Sequence, residues 1–344
     1  MRAFIIRRTL LVIPILIGVT LLIFSILQLF TPEQRAASYV VGTPRRPEVV
    51  QKIIDKYHLD APVHVQYFYW LNEVLHGNLG IAGPNAGNMP VLTAMVQAFP
   101  ATFELVIFSI PSTVLLGIYL GVKSAVNRDK PIDHATRVLS IIGWSLPTFW
   151  FALILIAVFY GGLGWVSTGR LSNEAFQVVT SSGFVRYTGV NSVDGLLNGQ
   201  LWITVDALKH IILPVLCLTI VQVALIIRVM RSSMLEALGK GYIITARAKG
   251  LTKNEVVNKH ARRNALIPVV TLSGILAAGL LCGVVITETC FDYMGLGYYA
   301  AHAAMQIDIP SVLGFSLFVG VMFTFANLIV DVTYAYIDPR IRLA

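Results

Sequence analysis

The chain has 344 residues, of which 56% are hydrophobic and only 13% charged, and its mean hydropathy is +0.73. No water-soluble domain hides that much apolar surface, so composition excludes a soluble protein and makes the bilayer the solvent. The formal net charge of +8 is explained better by basic loops on one side of a membrane than by nucleic-acid binding. Three cysteines, Cys217, Cys282 and Cys290, lie in or beside apolar runs with no CxxC pair. They suggest neither a disulfide framework nor a metal site.

In chain order, residues 1–8 place Arg2, Arg7 and Arg8 ahead of the apolar run 9–30. That run exceeds the short core of a secretory signal and predicts a retained first span with a cytoplasmic N-terminus. Residues 31–100 read as an extracytoplasmic segment. Val49, Val50, Ile53, Ile54 and Tyr57 form one amphipathic stripe in it, and Tyr67, Phe68, Trp70, Leu71, Val74 and Leu75 form a second. Both predict helices lying on the membrane surface, where they could also help receive a substrate-binding protein. A second span over 101–122 carries Gly117 and Gly121 as a GxxxG pair, the spacing that permits close helix contact.

A short basic loop, 123–137, leads to a third span over 138–160, in which Pro147 predicts a kink. Residues 161–209 form a second extracytoplasmic excursion, rich in Gly, Ser and Asn. A fourth span over 210–231, a cytoplasmic loop over 232–264, a fifth span over 265–288, an outside loop over 289–310 and a sixth span over 311–333 follow. Residues 334–344 return to the cytoplasm. With this topology eighteen of the 26 Lys and Arg are cytoplasmic, as the positive-inside rule requires. The expectation is an all-α polytopic membrane protein of about six transmembrane helices with two sizeable extracytoplasmic segments.

Within the fourth loop, Tyr242 to Thr271 is the one long polar and basic run between strongly apolar segments. Arg247, Lys249, Lys253, Lys259, Arg262 and Arg263 face only Glu255, while Ile243, Ile244, Ala246, Ala248, Leu251, Val256 and Val257 keep roughly helical spacing. A short helix, a break at Gly250 and a second helical piece would present a firm knob to another protein; an ordinary charged loop is the plainer reading. Glu104 and Glu288 sit near the outer ends of their spans. Such acids either hydrate or cap a helix end, or face a pathway and attract a cationic group. No GxxxxGK[ST], HExxH or GxSxG occurs, and the seven histidines are scattered over loops. Nucleotide, if used, binds elsewhere.

The order TARAKGL, then Val256 and His260, then RNALIPVVT resembles the cytoplasmic loop of permease subunits in bacterial binding-protein-dependent ABC importers, in the dipeptide, oligopeptide and nickel branch. LDAPVHVQYFYWLNEVLHGNLG, GWVSTGR, ETCFDYMGLGYYAAHAAMQIDIP and NLIVDVTYAYIDPRIR are similar to the same branch. Ile244, Thr245 and Ala246 replace the glutamate and two alanines of the general importer pattern, as they do in that branch. Asn78, Met294 and Ile307 stand where the family favours aspartate, proline and arginine.

The resemblance implies the type I permease fold and a coupling helix, formed by Thr245, Ala246, Arg247, Ala248, Lys249, Gly250 and Leu251, that seats on an ATP-binding subunit. It implies a transporter subunit rather than an enzyme, with no cofactor of its own and with ATP and Mg in partner subunits. The partners would be a homologous second permease, two ATP-binding subunits and an extracytoplasmic substrate-binding protein. Its place would be the inner membrane of a bacterium or archaeon, and peptides would be the cargo. Nickel chelates or oligosaccharides are the alternative cargo, and a self-sufficient channel or secondary transporter the alternative class.

Overall fold

A computed structural model describes residues 2–40 and 47–337. Arg340 and Arg342, counted above as cytoplasmic charges, lie outside the described residues. The chain is helical almost throughout. A first long helix, α1 (Arg2–Leu27), leads into three short ones, α2 (Pro32–Ala37), α3 (Pro47–Tyr57) and α4 (Val63–Leu75). The polar N-terminal segment is therefore a small packed layer. The apolar stripe of α3 packs within this layer: Val50, Ile53, Ile54 and Tyr57 close over Ala36 and Leu59. The second leans on α1, where Phe24 meets Tyr67 and Trp70 at ring-centroid distances of 5.3 and 5.6 Å. Only its outer edge, including Phe68 and Leu75, stays exposed.

Helix α5 (Val91–Val126) has 36 residues, about 54 Å at 1.5 Å per residue, so it outreaches a hydrocarbon layer of about 30 Å. Next come α6 (Pro131–Ser145) and α7 (Thr148–Leu155), the latter continued by a π-helical stretch over Ile156–Gly162. The expected kink at Pro147 is a full break: the two segments meet at 101°. A residue before proline is driven out of the α region, and Leu146 obeys with φ −74° and ψ 121°. Helix α6 stops there and α7 starts afresh.

Short helices α8 (Asn173–Val179) and α9 (Asn191–Leu197) precede α10 (Leu201–Leu238), 38 residues long. Residues 201–209, expected in an outside loop, are its first turns, and 232–238, expected in the following loop, are its last. Helices α5 and α10 form the most extensive pair in the molecule. Their approach depends on the GxxxG pair: a Cβ on Gly121 would lie 2.6 Å from Met230 Cβ, and one on Gly117 would collide with Ile226.

After α10 the chain forms α11 (Gly241–Ala248), the single turn α12 (Lys253–Glu255), a π-helical turn over Val256–Ala261, and α13 (Arg262–Leu281). It breaks again before α14 (Val285–Cys290) and ends in α15 (Leu296–Met305) and α16 (Ile309–Ile337). Among the described residues five helices are long and apolar enough to cross a membrane, and the bent α6–α7 pair makes a sixth candidate. Helix α1 packs on α16 and α4 at the periphery, and its Leu10, Ile13, Ile17, Leu21 and Leu22 are exposed. An apolar outer face is what lipid requires.

Candidate functional site

The knob at α11 is made by two opposed faces. Ile243 and Ala246, 1% and 5% exposed, join Met230, Met234, Val256, Val257, Ala261 and Ala265 in one apolar cluster. That cluster is continuous with α10 and α13, so α11 is fastened to both long helices by burial. The opposite face holds Tyr242, Ile244, Thr245, Arg247, Ala248 and Lys249, all exposed, with Ile244 at 67%. Among the described residues no carboxylate pairs with Arg247 or Lys249.

The end of α11 follows from its sequence. Gly250 adopts φ +78°, its N–H reaches Arg247 O at 2.9 Å, and the Leu251 N–H reaches Ala246 O at 3.4 Å. These are the two hydrogen bonds of a Schellman cap, and the left-handed residue in it favours glycine. Leu251 then tucks against the apolar cluster. Thr252 and Glu255 form a capping box that starts the next turn.

Of the seven residues expected to dock, Thr245, Arg247, Ala248, Lys249 and Gly250 are outward. Ala246 faces the core and Leu251 is half-buried. Ile244 and Tyr242 are outward apolar groups that sequence reasoning left out of the set. Helical rotation was the available signal: Ile243 and Ala246 share one face, and Ile244 cannot join them.

Just above the knob, an ion pair ties three helices together. Asp133 on α6 is fully buried and accepts two hydrogen bonds from Arg231 on α10, Nε to Oδ1 at 2.7 Å and Nη2 to Oδ2 at 2.8 Å. Ser124 on α5 donates to the same carboxylate at 2.5 Å, and the Asp129 N–H donates at 3.0 Å. Paired geometry with every remaining acceptor used is the form in which a buried charge is tolerated. Arg231 had counted only as a basic residue at a span end, and nothing local to Asp133 announced a partner 98 positions away.

Glu104, in the N-terminal half of α5, and Glu288, on α14, are exposed by 1% and 0%. Burial means that neither hydrates a helix end, whereas Glu288 does cap the starts of α14 and α15. Glu104 Oε2 accepts from Arg170 Nη2 at 3.0 Å and from the Tyr293 hydroxyl at 2.8 Å, and its Oε1 accepts the N–H and hydroxyl of Ser192 at 2.9 and 2.7 Å. Glu288 accepts from Thr102 Oγ1 at 2.7 Å, the Tyr298 N–H at 2.8 Å and the Val284 N–H at 3.2 Å. Burial, and then the Glu104 charge, push the Tyr293 hydroxyl well above the usual tyrosine range, which keeps it a donor. Together the two carboxylates bind α5 to the loop before α8, to the first turn of α9 and to the turns around α14.

Residues 113–343 match the family model described as binding-protein-dependent transport system inner membrane component. Residues 1–117 match the model of the N-terminal membrane component of such systems. The chain belongs to this family. The inner membrane component is similar over its whole length to the dipeptide transport system permease protein DppB of Escherichia coli (strain K12), 38% identical over 99% of each chain. It is 39% identical to the DppB of Haemophilus influenzae over 98% of this chain and 99% of that one. The oligopeptide transport system permease protein AppB of Bacillus subtilis (strain 168) is 35% identical, covering 99% of this chain and all of that one. This chain is thus a permease subunit and not itself an enzyme, and it is a multi-pass protein of the inner membrane.

Proposed function

We propose that the chain is one half of the membrane pathway of an ATP-driven importer of dipeptides or oligopeptides. The reading rests on relatives named for dipeptide and oligopeptide transport that match from end to end, and on one structural observation. The exposed Ile244, Thr245, Arg247, Ala248 and Lys249 form the free face of a helix whose other face is locked to both α10 and α13. Such a helix is a lever. A partner that grips the free face moves two long helices at once, and packed cores transmit displacement because they deform little.

In this reading both chain ends and the α11 knob are cytoplasmic, and the loops holding Arg170, Ser192 and Tyr293 face outside. Two ATP-binding subunits supply ATP and Mg, a homologous second permease completes the pathway, and an extracytoplasmic binding protein delivers peptide. ATP-driven closure of the partner dimer pulls on the knob, tilts α10 and α13, and changes the side to which the pathway opens. Glu104 and Glu288 act as ties that hold the outer loops on α5 while the inner ends move; they do not attract the peptide amino terminus.

The test is to purify the tagged chain from its native membrane in mild detergent, identify its companions, and assay ATP hydrolysis and peptide uptake with and without Gly250→Asp. Co-purification of a second permease and ATPases, with uptake lost in the variant, is expected. A chain that emerges alone and still moves solute refutes the reading.

A further inference from the structure

The broken α6–α7 span and the turn between α13 and α14 meet at one cavity. Thr148, the first residue of α7 after the Pro147 break, and residues 283–287, at the break between α13 and α14, line a single cavity of ≈ 280 Å³. Its third wall is α10, through Leu218, Val221 and Gln222. Non-helical backbone at membrane depth is tolerated where it lines a cavity, and discontinuous helices mark binding stations in transport proteins. The volume lies just below the about 300–1,000 Å³ span of small-molecule sites.

The polar groups of this cavity are unusual in their lack of partners. Gln222 Oε1 and Thr287 Oγ1 are buried and find no hydrogen-bond partner among the described residues, and Thr287 is fully buried. Two more orphans, Ser109 Oγ and Thr219 Oγ1, stand close in sequence to Val106, Ile110 and Leu218, which pack together with Leu280 and Val284. Gln222 sits within the uncharged stretch of α10 between Lys209 and Arg228. Hydrogen-bonding groups left unmatched in a hydrocarbon-surrounded bundle are costly and mark a functional site. The residues that line the cavity are neutral, so the hydrogen-bonding groups they offer are an amide and hydroxyls.

We infer that this cavity is a station for the peptide bond: Gln222 and Thr287 hydrogen-bond the backbone N–H and C=O of a peptide in transit. A neutral amide and a hydroxyl match groups that every peptide carries, whatever its side chains. They also bind more weakly than an ion pair, so the peptide can leave. The inference rests on the importer reading above and adds the chemistry by which the pathway recognises its cargo.

The experiment uses the complete transporter with its binding protein, reconstituted in proteoliposomes, and radiolabelled dialanine as the probe. Gln222→Leu and Thr287→Val keep the shape and remove the hydrogen bonds, and Thr287→Ser keeps the hydroxyl. Each apolar variant is expected to lose at least about five-fold in uptake, the worth of one neutral hydrogen bond. Melting temperature should stay equal or rise, because an unpartnered polar group has been removed, and Thr287→Ser should retain uptake. Uptake at the parent rate in Gln222→Leu and Thr287→Val would overturn the inference and leave the importer reading intact. A fall in melting temperature parallel to uptake, without recovery in Thr287→Ser, would make the groups structural and overturn it too. A parent complex that hydrolyses ATP without moving dialanine would overturn the peptide reading itself, and this inference with it.

Discussion

The two ends of the long α5–α10 pair are held by different physics. At the knob end, α11 is fastened by apolar burial around Ile243, Ala246, Met230 and Met234, with one ion pair, Asp133 to Arg231, above it. At the other end, the loops are fastened by two buried carboxylates that accept directional hydrogen bonds from Arg170, Tyr293, Ser192, Thr102 and backbone N–H groups. Apolar packing is non-directional and lets a unit move as a body, whereas a satisfied polar network specifies one arrangement. The contrast suits a lever at one end and a fixed collar at the other.

Breaking the ion pair should do the most damage. Asp133→Ala leaves Arg231 uncompensated among α5, α6 and α10, and a loss of about 3–5 kcal/mol is expected in detergent unfolding. Arg231→Lys, which cannot reproduce the two-pronged contact, should recover only part of it. Next comes the helix seam: Gly121→Leu forces Met230 and the Ile227 carbonyl away and should cost about 1–3 kcal/mol by the same measurement.

Glu104→Gln keeps the shape but weakens charge-assisted hydrogen bonds from Arg170, Tyr293 and Ser192, so about 1.5–3 kcal/mol is expected. Proteolysis of the 161–200 loop should quicken in that variant while cleavage at the knob does not. If both ends loosen together, the contrast between lever and collar is wrong.

Smaller effects sharpen the picture at the knob. Gly250→Ala meets no neighbouring atom, so its cost is backbone strain alone, about 1 kcal/mol in thermal melting. Arg247→Ala with Lys249→Ala should change stability by less than about 0.5 kcal/mol. If the exposed face is the proposed docking surface, it should nevertheless reduce ATPase co-purification. Loss of stability without loss of the partner would refute the docking assignment.

Which parts were legible in the sequence follows from the range of the forces involved. The apolar runs, the basic loop after the fourth span and the glycine that ends its first helix all depend on neighbours within one or two turns. Periodicity and turn chemistry therefore place them. The 101° break at Pro147 was only partly visible, since proline announces a disturbance but not its angle, and the π-helical turn at Val256–Ala261 read only as a helical piece. Asp133 lies in the basic loop 123–137, where nothing in the local pattern marks it. Glu104 and Glu288 read as interfacial acids because hydropathy measures depth along a span and says nothing of what stands beside it.

By itself, then, the sequence determined that this is a polytopic helical membrane protein with a basic knob between its fourth and fifth spans, because hydropathy, capping and charge are local properties of the chain. The tertiary structure alone decided which face of that knob is free, that Asp133 meets Arg231, that Glu104 and Glu288 are ties, and that Gln222 and Thr287 line one cavity. The partners of both ties and of Asp133 include residues 66 to 189 positions away. Contacts across such separations exist only once helices have packed, so no local pattern encodes them.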